Sequence, residues 1–104
     1  MDYIAVYTDQ QALEDGVLVD ITPALKRFHG KPVNRMTRAL WEEFQPFLRI
    51  ADVHRLSEIA YLGKILTTKL SVAYYKGDIW QVPPGLWLIE NELGGWTIMR
   101  PEDY

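Results

Sequence analysis

The chain predicts an α+β domain, a helical N-terminal region packed on a C-terminal antiparallel β-meander of three to four strands. Three observations point there. Apolar residues recur at helical spacing up to about residue 70 and in short β-rich runs after it. Helix-start signals stand at Thr8, Thr22-Pro23, Thr37 and Asp52. The late runs SVAYY, DIWQV, LWLIE and GWTIMR are separated by Lys76-Gly77-Asp78, Pro83-Pro84-Gly85 and Asn91 to Gly95, which are short and turn-like.

Taken in order, residues 2–7 (DYIAVY) read as a short strand. Thr8 followed by Gln11 fits a capping box, and Gly16 can end the resulting helix over about 9–15. VLVDI is apolar enough for a buried extended segment. Thr22-Pro23 then reads as an N-cap with proline at the first helical position, opening a short helix PALKRFH that stops at Gly30. Thr37 caps a helix RALWEEF, which Pro46 should end or kink because it disfavours helical geometry at Gln45. In DVHRLSEIAYLGKILTTKL, a stripe of Val53, Leu56, Ile59, Ala60, Leu62, Gly63 and Leu66 marks the main core helix, with Asp52 as its cap.

A length of 104 residues fits one domain, 1–104, and the chain shows no repeat or linker. With 48% apolar and 24% charged residues, general disorder is disfavoured. The absence of cysteine excludes disulfides, a thiol nucleophile and thiolate metal sites. The N-terminus is acidic where a secretory signal would be basic, and no apolar run reaches membrane-spanning length; cytoplasmic residence without membrane association is the expectation.

Net charge is −3, unevenly spread. Residues 1–25 hold Asp2, Asp9, Glu14, Asp15 and Asp20 with no base, and residues 26–41 hold Lys26, Arg27, Lys31, Arg35 and Arg38 with no acid. The two blocks either pair within the fold or leave the basic block as an anion or nucleic-acid surface. The overall negative charge favours pairing.

YTDQQALEDGVLVDIT, TRALWEEF, AYL, the strand ending Trp80-Gln81-Val82-Pro83, and WTIMRPEDY, in that order, resemble a family of small bacterial proteins built on a domain of unknown function. Its signature runs close to Y-T-x-x-Q-A-x-x-D-G-V-L-V-D, then T-R-A-x-W, then I-T-I-M-x-P-E-D. The resemblance implies a setting on plasmids, phages and other mobile elements, beside anti-restriction or regulatory genes. It supplies no catalytic residues. The chain departs from the pattern by being short between Phe44 and Asp52 and between Val82 and Leu86.

Chemistry-bearing motifs are sparse. The histidines His29 and His54 fall in different elements, so neither a metal nor a cofactor is expected. No phosphate-cradling glycine loop or nucleophile elbow is present. Glu14, Asp15 and Asp20 are the best acid–base candidates, and a hydrolase would use Asp15 and Asp20. A simpler reading makes Gly16, Asp20 and Thr22 a structural clasp, the carboxylate accepting from backbone amides at the following helix start.

Four tryptophans, with Tyr74 and Tyr75, are many aromatics for so small a chain. Strand alternation leaves both sheet faces partly apolar. Trp80, Trp96 and Ile98 are assigned to the core, whereas Ile79, Trp87, Ile89 and Met99 form an outer face suited to a protein partner or a second copy. The outer face therefore leads to the expectation of a protein that binds another protein, and the resemblance implies that it is an accessory or regulatory protein of a mobile element, with an anti-defence role in view. A nucleic-acid or nucleotide binder using residues 26–38 is the alternative.

Overall fold

The structure, a computed structural model, describes residues 8–49 and 55–104, and for 47–49 and 55–59 the backbone course alone. The expected strand at 2–7 and the Asp52 cap lie outside the described residues. Helix α1 (Asp9–Glu14) begins where the capping signal places it: Thr8 Oγ1 accepts from the Gln11 amide at 3.2 Å, and Gly16 follows with φ +73°.

The architecture is α+β, but not a helical half on a meander. Seven strands form one mixed sheet: β1 (Leu18–Asp20), β2 (Arg27–Phe28), β3 (Lys31–Thr37), β4 (Tyr74–Lys76), β5 (Ile79–Val82), β6 (Leu86–Glu90) and β7 (Trp96–Met99). Their spatial order is β1-β3-β7-β6-β5-β4, with β2 also paired to β3. The antiparallel run from β4 to β7 matches the late segments of the sequence. Strand β3, in contrast, lies parallel to β7 and carries the N-terminal strands into the same sheet, so the sheet is not a simple antiparallel meander.

The expected helix PALKRFH reduces to a 3-10 turn, Thr22–Ala24, because the chain reverses immediately afterwards. Leu25 has φ +56°, and His29 and Gly30 have φ +49° and +77°, the two positive values of a type I′ hairpin turn. Gly30 thus links β2 to β3 rather than ending a helix. Thr37 closes β3 and sends its hydroxyl to Asp103 at 2.9 Å instead of capping the next helix.

The helices α2 (Arg38–Arg49) and α3 (Arg55–Leu70) lie between the two groups of strands in sequence. Helix α2 runs through Pro46. Pro46 and Glu42 are both exposed, so the residue-42 carbonyl that proline cannot serve has access to water. On α3 the expected stripe appears at Leu62, Gly63 and Leu66, whereas Ala60 is exposed. Gly63 is required by proximity: a Cβ there would stand 2.9 Å from the Ala24 carbonyl oxygen.

Strand register sorts the sheet into two faces. Met36, Ile98, Leu88, Trp80 and Tyr75 form one cross-strand row. Its inner members join Leu40, Trp41, Leu62 and Leu66 in the core beneath α2 and α3. On the other face Met99, Trp87, Gln81 and Tyr74 form the corresponding row. At the β6–β7 turn, Asn91 Nδ2 donates to Asn34 Oδ1 at 2.8 Å and its Oδ1 accepts from the Leu93 and Gly95 amides.

Candidate functional site

The free end of the sheet is the place where apolar side chains reach solvent together. Gly77 and Asp78, with φ +66° and +64°, form a second type I′ turn and register Lys76 opposite Ile79. Strand β4 is thereby held to β5 along one edge, while its other edge has no strand beside it among the described residues. Val72, Tyr74 and Tyr75 are 57%, 50% and 58% exposed. Tyr74 and Tyr75 point to opposite faces of the sheet, so both faces of β4 reach solvent.

Behind this edge the aromatic rings are ordered. Tyr75 meets Trp80 edge-on at 5.4 Å, and Phe28 stands against Trp80 at 4.9 Å and Trp96 at 5.8 Å. The Trp96 indole N–H donates to the Phe28 carbonyl at 2.8 Å, fastening β2 over the row. His29 packs on Trp80 at 4.7 Å, which gives it an aromatic rather than a metal setting; His54 lies outside the described residues.

Two shallow hollows of about 240 and 320 Å³ share Ile89, Glu90 and Tyr104; the smaller lies on the outer face, and the larger is lined by residues of both rows, Tyr75, Trp80 and Leu88 with Ile89. Ile79 lines the larger, and Leu18, Thr97 and Met99 line the smaller. Of the four expected interface residues, Ile79, Trp87 and Ile89 are half-buried, with Trp87 edge-on to Tyr104 at 6.3 Å. Met99 is only 1% exposed, so it floors this face rather than projecting from it.

The residues of the basic block each have a different set of partners. Arg35 is enclosed, gripping both oxygens of Asp9 at 2.9 and 3.0 Å and Asp20 at 3.0 Å. Lys31 pairs with Glu90 at 3.0 Å and lies 5.5 Å over the Trp96 ring. Arg38 reaches Glu42 at 3.5 Å, Arg27 donates to the Gly30 carbonyl, and the stem of Lys26 passes beside Gly63. The internal pairing of the acidic and basic blocks is thus realised through Arg35, while Lys31 and Arg38 find acids elsewhere in the chain.

Asp20 accepts from the Thr22 amide at 2.9 Å and from the Thr22 hydroxyl, the geometry of the clasp. Partial burial pushes its pKa up, but the two Thr22 hydrogen bonds and the Arg35 charge outweigh that and hold it below the ordinary aspartate value. Asp15 sits at the C-terminus of α1 with its amide on the Gln11 carbonyl, and its side chain is exposed. Neither Asp15 nor Asp20 lines the two hollows. No group of three metal-ligating side chains occurs among the described residues.

A further ion pair ties the end of β7 to α2. Arg100 donates twice to Glu43, each bond 2.6 Å, and these bonds lower the Glu43 pKa and raise that of Arg100. No helix among the described residues is long and apolar enough to cross a membrane.

Sequence reasoning placed the contact surface around Trp87 and passed over Val72 and Tyr75. The run V-A-Y-Y-K-G-D carries the local signal of a hairpin, β-forming residues before a turn, but not which edge of that hairpin stays unpaired. Comparison with family models, curated proteins and solved structures gives no match to the chain.

Proposed function

We propose that this chain is a protein-binding module, an accessory or regulatory protein that acts by contact rather than by catalysis. The observation that carries the reading is the open β4 edge with Tyr74 and Tyr75 each at least half exposed, and Val72 exposed in the turn that leads into it. Exposed apolar groups on an unpaired strand attract pairing, and soluble proteins ordinarily blunt such edges. Here only Lys76 does so within the strand. Tyrosine also suits interface centres, giving a large rigid contact with one polar end. The half-buried Ile79, Trp87 and Ile89 extend the surface onto the outer face.

The resemblance of the chain's motifs to small bacterial proteins of mobile elements adds a setting, interference with or regulation of a host system. The test is affinity capture from the host cell together with sedimentation, comparing the wild type with a Tyr74→Ser/Tyr75→Ser variant. The reading expects a bound protein, or a second copy of the chain, that the variant loses while keeping its circular dichroism. A wild type that is monomeric and captures nothing beyond what the variant captures overturns it.

A further inference from the structure

The occupant of the β4 edge follows from the hydrogen-bonding phase of the hairpin. In a four-residue turn spanning Lys76 to Ile79, the first carbonyl accepts from the fourth amide, so Lys76 and Ile79 form the hydrogen-bonded pair. Antiparallel pairs alternate, which makes Tyr75 and Trp80 the non-hydrogen-bonded pair. Their rings, 5.4 Å apart, agree with the closer side-chain approach of such pairs. The N–H and C=O of Tyr75 therefore point away from β5, toward the open edge.

We infer that this edge is closed by β4 of a second copy of the chain, antiparallel, with the two-fold axis at Tyr75. The inference rests on the protein-binding reading above and names its partner. A two-fold there sets Tyr75 opposite Tyr75 of the other copy as a hydrogen-bonded pair, each residue donating its N–H and accepting at its C=O. Tyr74 then faces Lys76 of the other copy, and Lys76 faces Tyr74, on the side of the sheet away from α2 and α3. The pairing puts an ammonium beside an aromatic ring twice and places no like charges opposite one another.

On the helix side, two Tyr75 rings meet and continue the row that already holds Phe28 and Trp80. The strand is short, with three residues. A one-residue slip would bring outward-facing amide and carbonyl groups against groups already used within the hairpin, and a two-residue slip would keep the hydrogen-bonding phase but move the axis to Tyr74 or Lys76; the Tyr75-centred register is the one that pairs all three residues of β4 with one another.

The absence of cysteine makes a clean probe available, because one introduced thiol is unique. Across a hydrogen-bonded antiparallel pair the Cα atoms stand ~5.5 Å apart, within disulfide reach. Tyr75→Cys should cross-link into a covalent dimer under mild oxidation, and Lys64→Cys on the exposed side of α3 should not. By sedimentation up to about 100 µM, a range chosen because short strand junctions give weak interfaces, the wild type should dimerise. Tyr75→Phe should keep the dimer, and Tyr75→Lys, which sets like charges across the axis, should weaken it at least about tenfold with the fold retained.

A monomeric wild type over that range overturns the inference. A dimer that survives Tyr75→Lys, fails to cross-link at residue 75 and dissociates on Trp87→Asp also overturns it, and moves the contact to the outer face. In the first case the protein-binding reading stands if affinity capture still returns a partner dependent on Tyr74 and Tyr75. In the second it stands with a different surface.

Discussion

Arg35 and Asp9, 26 residues apart, form a two-pronged ion pair whose side chains are 8% and 9% exposed. The pair fastens α1 to β3, and Asp20, at 55% exposure, completes it from the solvent side. Arg35→Ala would leave the Asp9 carboxylate enclosed without its partner. It should cost about 3–5 kcal/mol, the usual penalty for breaking a buried pair from one side. The paired replacement Arg35→Met/Asp9→Leu should cost clearly less than the sum of the single changes. Urea titrations of the wild type, Arg35→Met, Asp9→Leu and the double variant measure this directly; additive losses would show that the pair is not coupled.

Gly95 gives the second prediction. A Cβ there would stand 2.6 Å from Asn34 Oδ1 and 2.7 Å from the Pro32 carbonyl oxygen. Gly95→Ala must push Asn34 aside and so disturb its bond from Asn91, costing about 1–3 kcal/mol as overpacking does. Gly94→Ala, with nothing within 4 Å of its Cβ, carries only the strain of its positive φ. Thermal melts of both variants should rank Gly95→Ala as the more damaged; the reverse order would count against the tight packing at β3.

Acid stability follows from Asp20 and Glu43, both held below their ordinary pKa values in the folded chain. A depressed carboxylate contributes stability that is fully present above the unfolded pKa and disappears as pH falls through the folded one. The stability gap between the wild type and an Asp20→Asn/Glu43→Gln variant should therefore be largest near neutrality and vanish in strong acid. Denaturant midpoints measured across that range check the sign. Both carboxylates are partly exposed, so added salt should narrow the gap.

Nucleic acid supplies the fourth. Arg35 is enclosed with Asp9, and Lys31 and Arg38 are paired with Glu90 and Glu42, so three of the five cations of residues 26–38 already have acidic partners. Fluorescence anisotropy with mixed-sequence DNA and RNA at physiological salt should show no binding. A salt-sensitive signal that disappears in Lys26→Ala/Arg27→Ala, with folding retained, would restore the nucleic-acid reading.

Local signals in the sequence were dependable where a residue acts on its immediate neighbours. Thr8 and Gly16 bound α1, the turn residues around 76–78 and 83–85 separate the late strands, and Leu62, Gly63 and Leu66 face the core. Strand β3 escaped because its buried residues Asn34, Arg35 and Thr37 are polar, each satisfied by a partner distant in the chain. The apolar alternation that announces a strand is absent from such a segment. Thr22-Pro23 and Gly30 also suit a helix as well as they suit the 3-10 turn and hairpin they form.

The candidate surface was legible as an aromatic excess but not as a position. Alternation assigns one of two adjacent tyrosines to the core, whereas an edge strand exposes both, and edge status depends on which strands pair elsewhere. The parallel pairing of β3 with β7 decides that, and no local pattern reports it.

That parallel pairing also governs the order in which the sheet can assemble. Strand β7 follows every other strand in the chain yet stands between β3 and β6, with Val33 beside Trp96 and Met36 beside Ile98. The hairpins β2–β3 and β4–β5 can close over a few residues, but joining the two groups of strands brings together residues about 60 apart in the chain, Met36 and Ile98 among them. Until then the edges of β3 and β6 that will flank β7 have no partner, and a chain halted before residue 96 would hold two separate β fragments without the strand that unites them.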